Sequence, residues 1–122
     1  MGHMFYGSQA TTLDVSSFDT RKVTTMNRMF MYNSVTKLDL SNFDTSNVTD
    51  FDSMFKFATN LKYLDISSFN FDKSTDIYQV LYGLEKLEVL AISNPEKIKE
   101  ELSDSELTSD KWFNEEGVQI ET

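Results

Sequence analysis

Apolar and polar residues alternate along Leu13-Asp14-Val15-Ser16, and the alternation returns at Leu38-Asp39-Leu40-Ser41 and Leu64-Asp65-Ile66-Ser67. A worn copy follows at Leu90-Ala91-Ile92-Ser93. A period of two over four residues predicts a short strand with one buried face. Phe18, Phe43 and Phe69 come next and are expected to turn inward. Asp19-Thr20 and Asp44-Thr45 then read as turn residues whose side chains satisfy backbone groups. After them the period changes. Met26, Met29 and Phe30, and again Phe51, Met54 and Phe55, fall at i, i+3 and i+4, the spacing of one helical face. Thr49 with Asp52 three residues later resembles a capping box. One unit thus reads as a strand, a turn and one or two helical turns.

The strand starts are offset by 25, 26 and 26 residues, so the chain is built on an internal repeat. Val35, Leu61 and Leu87 align in the later part of the unit. Upstream, Met4-Phe5-Tyr6-Gly7 aligns with Met29-Phe30-Met31-Tyr32, so the chain reads as beginning in the middle of a repeat and is expected to be a piece of a longer array. A single unit cannot bury its own apolar side, whereas stacked units form a continuous core with ends that need covering. The pattern changes at Asn94, a good N-cap before Pro95 and Glu96. Ile98 and Leu102 lie four apart, which predicts a helix over 95–103. Trp112-Phe113 and Val118-Gln119-Ile120 flank Asn114-Glu115-Glu116-Gly117 and predict a hairpin over the last repeat.

Residues 38–55 follow the pattern L-D-L-S-x-F-D-T-S-x-V-T-D-M-x-x-M-F, with Phe51 in place of the Met. In this the chain resembles the BspA-like leucine-rich repeat surface proteins of bacteria over about residues 4–93. Residues 64–89 depart from the pattern, with Asn70-Phe71 for Asp-Thr and Tyr78-Gln79-Val80-Leu81 for the Met-Phe turn. The resemblance implies an α/β repeat solenoid, a short leucine-rich repeat array with one parallel strand and a short helix per repeat, plus a C-terminal cap. The expected organisation is a cloning remnant at 1–3, a partial repeat at 4–12, repeats at 13–37, 38–63 and 64–89, a fourth starting at 90, and a cap over 94–122. The resemblance further implies a secreted or wall-anchored protein at the bacterial cell surface, with adhesion to host matrix proteins, mucus or other cells.

Charge narrows the function. Twenty acidic residues against eleven basic ones give a net charge of −9 and a pI near 4.4. That argues against sequence-independent nucleic-acid binding and against docking on anionic lipid. Residues 94–122 contribute −6 of it, so their acidic helix reads as a solvated face or a surface for a basic partner. No apolar run approaches the ~20 residues needed to span a bilayer, and no leader pattern is visible. There is no Cys, and the one His, His3, lies in the remnant. A thiolate metal site, a Ser-His pair and a His-based metal site are therefore not expected, and neither a cofactor nor a catalytic group is assigned.

The carboxylates Asp14, Asp39 and Asp65 form a column with neighbours about 4.8 Å apart. Such a row could hold a cation or supply an acid and a base. The reading preferred here is that each carboxylate bonds the Ser two residues on and fixes the repeat. Gly7, Gly83 and Gly117 are isolated, so no phosphate-cradling loop is present. The Asn47-Val48-Thr49 glycosylation sequon is explained by the repeat itself. The outward strand positions Lys37, Asp39, Tyr63, Asp65 and Val89 are the candidate ligand-binding residues, with Tyr63 as the anchor. Tyr6, Tyr32, Tyr78 and Tyr82 form a second aromatic surface or pack between repeats. The expected function is a non-catalytic binding module for a surface protein or glycoprotein of a host or neighbouring cell. The alternative is a structural spacer that self-associates through its open N-terminal repeat.

Overall fold

The computed structural model describes residues 2–71, 76–93 and 112–113. Four strands form one parallel sheet in the order β1 (Lys37–Asp39), β2 (Tyr63–Ile66), β3 (Val89–Ile92) and β4 (Trp112–Phe113). The repeat sets the register. Leu38 lies opposite Leu64 and Leu64 opposite Leu90, so residues one repeat apart become neighbours. The alternation sends Leu38, Leu64 and Ile66, and Leu90 and Ile92, inward and leaves the intervening residues on the other face. Trp112-Phe113 enters as a parallel strand beside β3. The helix expected over 95–103 and the other half of the hairpin, 118–120, lie outside the described residues.

The core is a set of columns running from unit to unit. Phe5, Phe30 and Phe55 stack with centroids 5.4 and 5.7 Å apart and planes 9° and 3° from parallel. Phe43 and Phe69 do the same at 6.3 Å. Phe30, Phe55, Met26, Met29 and Met54 are wholly buried, each contributing about 1.5–3 kcal/mol of transfer free energy.

Two expectations are corrected. First, the short helix of each repeat is absent; among the described residues there is no helix. Residues 26–33 instead make overlapping β-turns, with the N–H groups of Met29, Met31 and Asn33 donating to the carbonyls of Met26, Arg28 and Phe30. The alternate N–H groups, of Met26, Arg28, Phe30 and Tyr32, donate across to Asp50, Asp52, Met54 and Lys56 of the next unit. In a helix those donors would be spent within the segment; here half of them tie one unit to the next. The turns need left-handed residues, and Arg28, Tyr32, Ser53, Phe57 and Gln79 all have positive φ, as do Gly7 and Gly83 in the same column as Tyr32 and Phe57. The capping box is absent as well. Thr49 Oγ1 donates to the Thr24 carbonyl, and the Asp52 N–H donates to Asp50 Oδ1.

Second, Leu13–Val15 does not form a strand. It runs beside β1, held by the Thr36 N–H on the Thr11 carbonyl and by Asn42 Nδ2 on the carbonyls of Val15 and Ser16. With few ladder bonds on the β1 side, the alternation alone does not build a strand there.

Buried polar side chains tie the units together. Thr20 Oγ1 donates to the Asp44 carbonyl and accepts from the Asp44 N–H, and Thr45 does the same at Asn70. Asp19-Thr20 and Asp44-Thr45 thus act between units as well as within the turn. Phe71, itself buried, follows in the third unit where the first two have Thr. Asn33, 2% exposed, accepts from the Val35 N–H and donates to the Phe5 carbonyl.

Candidate functional site

The pairing register places the candidate residues as a grid. Lys37 lies opposite Tyr63, and Tyr63 opposite Val89. In the next row Asp39 lies opposite Asp65, and Asp65 opposite Ala91. All five candidates stand on the face away from the buried Leu and Ile; Lys37 and Asp39 are exposed, and Tyr63, Asp65 and Val89 half-buried. A shallow groove of about 350 Å³ continues the face toward the first unit, lined by Thr12, Leu13, Asp14 and Ser16 on one side and Lys37, Asp39, Ser41 and Asn42 on the other.

The Asp column has its partners within the repeat. In each unit one carboxylate oxygen accepts two bonds from the Ser two residues on. The hydroxyl lies at 2.6 Å and the N–H at 2.9–3.0 Å for Asp14–Ser16, Asp39–Ser41 and Asp65–Ser67. These bonds favour the charged form and hold the Asp14 and Asp39 carboxyls below their ordinary value. Among the described residues, no three His, Cys, Asp or Glu side chains gather as a metal site.

Lys37 Nζ lies 5.0 Å from the centroid of the Tyr63 ring. Such a cation–π contact on an exposed face is worth about 0.5–1 kcal/mol and fixes both side chains side by side. Burial raises the Tyr63 hydroxyl above its ordinary 10.0, and the neighbouring charges of Asp65 and Asp39 push it the same way. Tyr63 therefore stays a neutral hydrogen-bonding group across the physiological range. The face combines a fixed aromatic ring, a cation and a row of serine-bound carboxylates, an arrangement that suits recognition by contact.

The tyrosines outside the sheet form a separate surface on the turn rows. Rings meet in the order Tyr6, Tyr32, Phe57, Tyr82 at 5.4–5.7 Å. Lys56 Nζ stands over both Phe57 and Tyr82, at 5.3 and 5.7 Å. Tyr6, Tyr32 and Tyr78 are 47%, 47% and 60% exposed. Phe57 and Lys56 were not read from the sequence as part of this surface; the offset of 25 from Tyr32 and Met31 marks their positions.

The units, their register and this outward face belong with a protein assembled by repetition. The chain matches, over residues 1–114, the family described as Mycoplasma protein of unknown function, DUF285, and belongs to it. No curated protein and no solved structure matches the chain.

Proposed function

We propose that the chain is a non-catalytic binding module of a bacterial surface protein, a short leucine-rich repeat solenoid of the BspA-like kind. It acts outside the cell and engages a protein or glycoprotein of a host or neighbouring cell through its strand face. The observation that carries this reading is the grid of Lys37, Tyr63 and Val89 beside Asp39 and Asp65, standing on a sheet whose other face is fully committed to the core. A surface so backed loses little freedom when a partner is bound. The resemblance of residues 38–55 to the BspA-like repeat supports the surface-protein part of the reading. Saturable binding of the purified chain to immobilised fibronectin, fibrinogen, collagen or mucin at physiological salt tests it. Saturation on one of them is expected. Binding to none, or only to the chain itself, would favour the spacer.

A further inference from the structure

The groove of about 350 Å³ on the strand face lies between the segment 12–16 and β1. It opens where the ladder is incomplete. Between β1 and β2 the Leu40 N–H donates to the Asp65 carbonyl, but its counterpart, the Val15 N–H, makes no such bond to the Asp39 carbonyl. The backbones of these two segments are joined instead at Thr36 and Thr11.

Most side-chain donors of the groove are already spent. Ser16 and Ser41 give their hydroxyl protons to Oδ1 of Asp14 and Asp39. Asn42 gives its Nδ2 protons to the carbonyls of Val15 and Ser16. These side chains keep their acceptors: Asn42 Oδ1, the serine lone pairs and Oδ2 of each carboxylate. Among the described residues no hydrogen bond reaches Oδ2 of Asp14 or Asp39. The ion pair among them is Arg21 with Asp19, so neither groove carboxylate is matched by a cation. Lys37 lines the groove with its methylenes, while its ammonium is drawn over Tyr63 on the β2 side. Leu13 adds apolar surface to the opposite wall. An occupant that fits this groove brings an apolar stem, positive charge and several donors.

We propose that the groove receives an arginine side chain of a partner protein, with its stem along Leu13 and the Lys37 methylenes and its guanidinium donating to Oδ2 of Asp14 and Asp39. Guanidinium carries five donors in a planar fork and no acceptor, which matches what the groove leaves open. Charge-assisted bonds to two carboxylates are the strong kind. A sugar fits less well, because each hydroxyl brings an acceptor along with its donor, and Thr12 and Lys37 are the groove side chains with a donor to offer it. The inference rests on the strand face being the binding surface, and it names the chemistry that face recognises.

The test is a ¹H–¹⁵N titration of the chain with acetyl-glycyl-arginyl-glycinamide, with the same peptide carrying citrulline, and with lactose. Citrulline keeps the length of arginine and removes its charge. The arginine peptide is expected to give saturable shifts at Asp14, Ser16, Asp39 and Ser41. The citrulline peptide should bind roughly tenfold more weakly or worse. So should the arginine peptide on Asp14→Asn, Asp39→Asn, in which the Asn oxygen still accepts from the serine; should that variant not fold, the two peptides on the unaltered chain decide. Absence of saturable shifts, equal binding of the citrulline peptide, or tighter binding of lactose at the same residues would overturn the proposal. An immobilised protein that binds the chain and its Asp14→Asn, Asp39→Asn form equally would also overturn it, yet leave the strand-face reading standing. Groove shifts with arginine, in a chain that binds none of the immobilised proteins, would support it while removing those partners.

Discussion

Gly83 and Phe57 occupy the same column of the turn rows, and the first makes room for the second. Gly83 has φ +79°, and a Cβ there would stand 2.5 Å from Phe57 Cδ1. Gly7, with φ +67°, has nothing within 4 Å of its own Cβ position. Gly7→Ala is therefore expected to cost only the left-handed penalty, ~1–2 kcal/mol. Gly83→Ala adds displacement of the Phe57 ring, about 1–3 kcal/mol more. Urea unfolding of the two variants checks this, and equal losses would contradict the packing described.

The carboxylates give a second prediction at this scale. Serine bonds hold Asp14, Asp39 and Asp44 below the ordinary 3.8. The Arg21 guanidinium and N–H take Asp19 to about 2. A depressed folded value means stability that is fully present above 3.8 and is lost as pH falls through the folded value. The stability gap between the protein and the double variant Ser16→Ala, Ser41→Ala should thus be largest above pH ~5 and close on acidification. A gap that widens as pH falls would reverse the sign.

The turn rows are the element the sequence describes least well. Apolar residues at i, i+3 and i+4 are served equally by one helical face and by overlapping β-turns, so the burial of Phe51, Met54 and Phe55 was legible and their backbone was not. The signal that separates the two is the recurrence of Gly7 and Gly83 in one column, which marks a left-handed position. β1, β2 and β3 were legible because alternation and the 26-residue offset fix both face and register; the parallel pairing of Trp112-Phe113 with β3 was not, since it falls outside that offset. Leu13–Val15 has the same alternation without the pairing that makes a strand. Within the candidate site, the Asp–Ser spacing announced its own hydrogen bonds, while the Lys37–Tyr63 contact depends on neighbours across strands.

Arg28 tests the turn directly. It is exposed and has φ +53°. Glycine relieves that strain at some entropic cost in the unfolded chain, so Arg28→Gly is expected to be neutral or stabilising by a few tenths of a kcal/mol. In a helix the same change would cost ~1 kcal/mol. A loss of that size in thermal or urea unfolding would restore the helix.

At the scale of the whole molecule, stacking leaves two side-chain surfaces of different character. The strand face carries Lys37 on Tyr63 amid a row of serine-bound carboxylates, and the turn rows carry Tyr6, Tyr32 and Tyr78 in the open. A net charge of −9 draws basic partners over long range without choosing between these surfaces. The measurement that separates them is a paired titration on whichever immobilised protein or mucin binds, comparing the chain with Lys37→Ala, Tyr63→Ala and with Tyr32→Ser, Tyr78→Ser. The account predicts that the strand-face pair weakens Kd by roughly tenfold or more, ~1.4 kcal/mol, and that the turn-face pair leaves it within about twofold. Loss confined to the turn-face pair would contradict it.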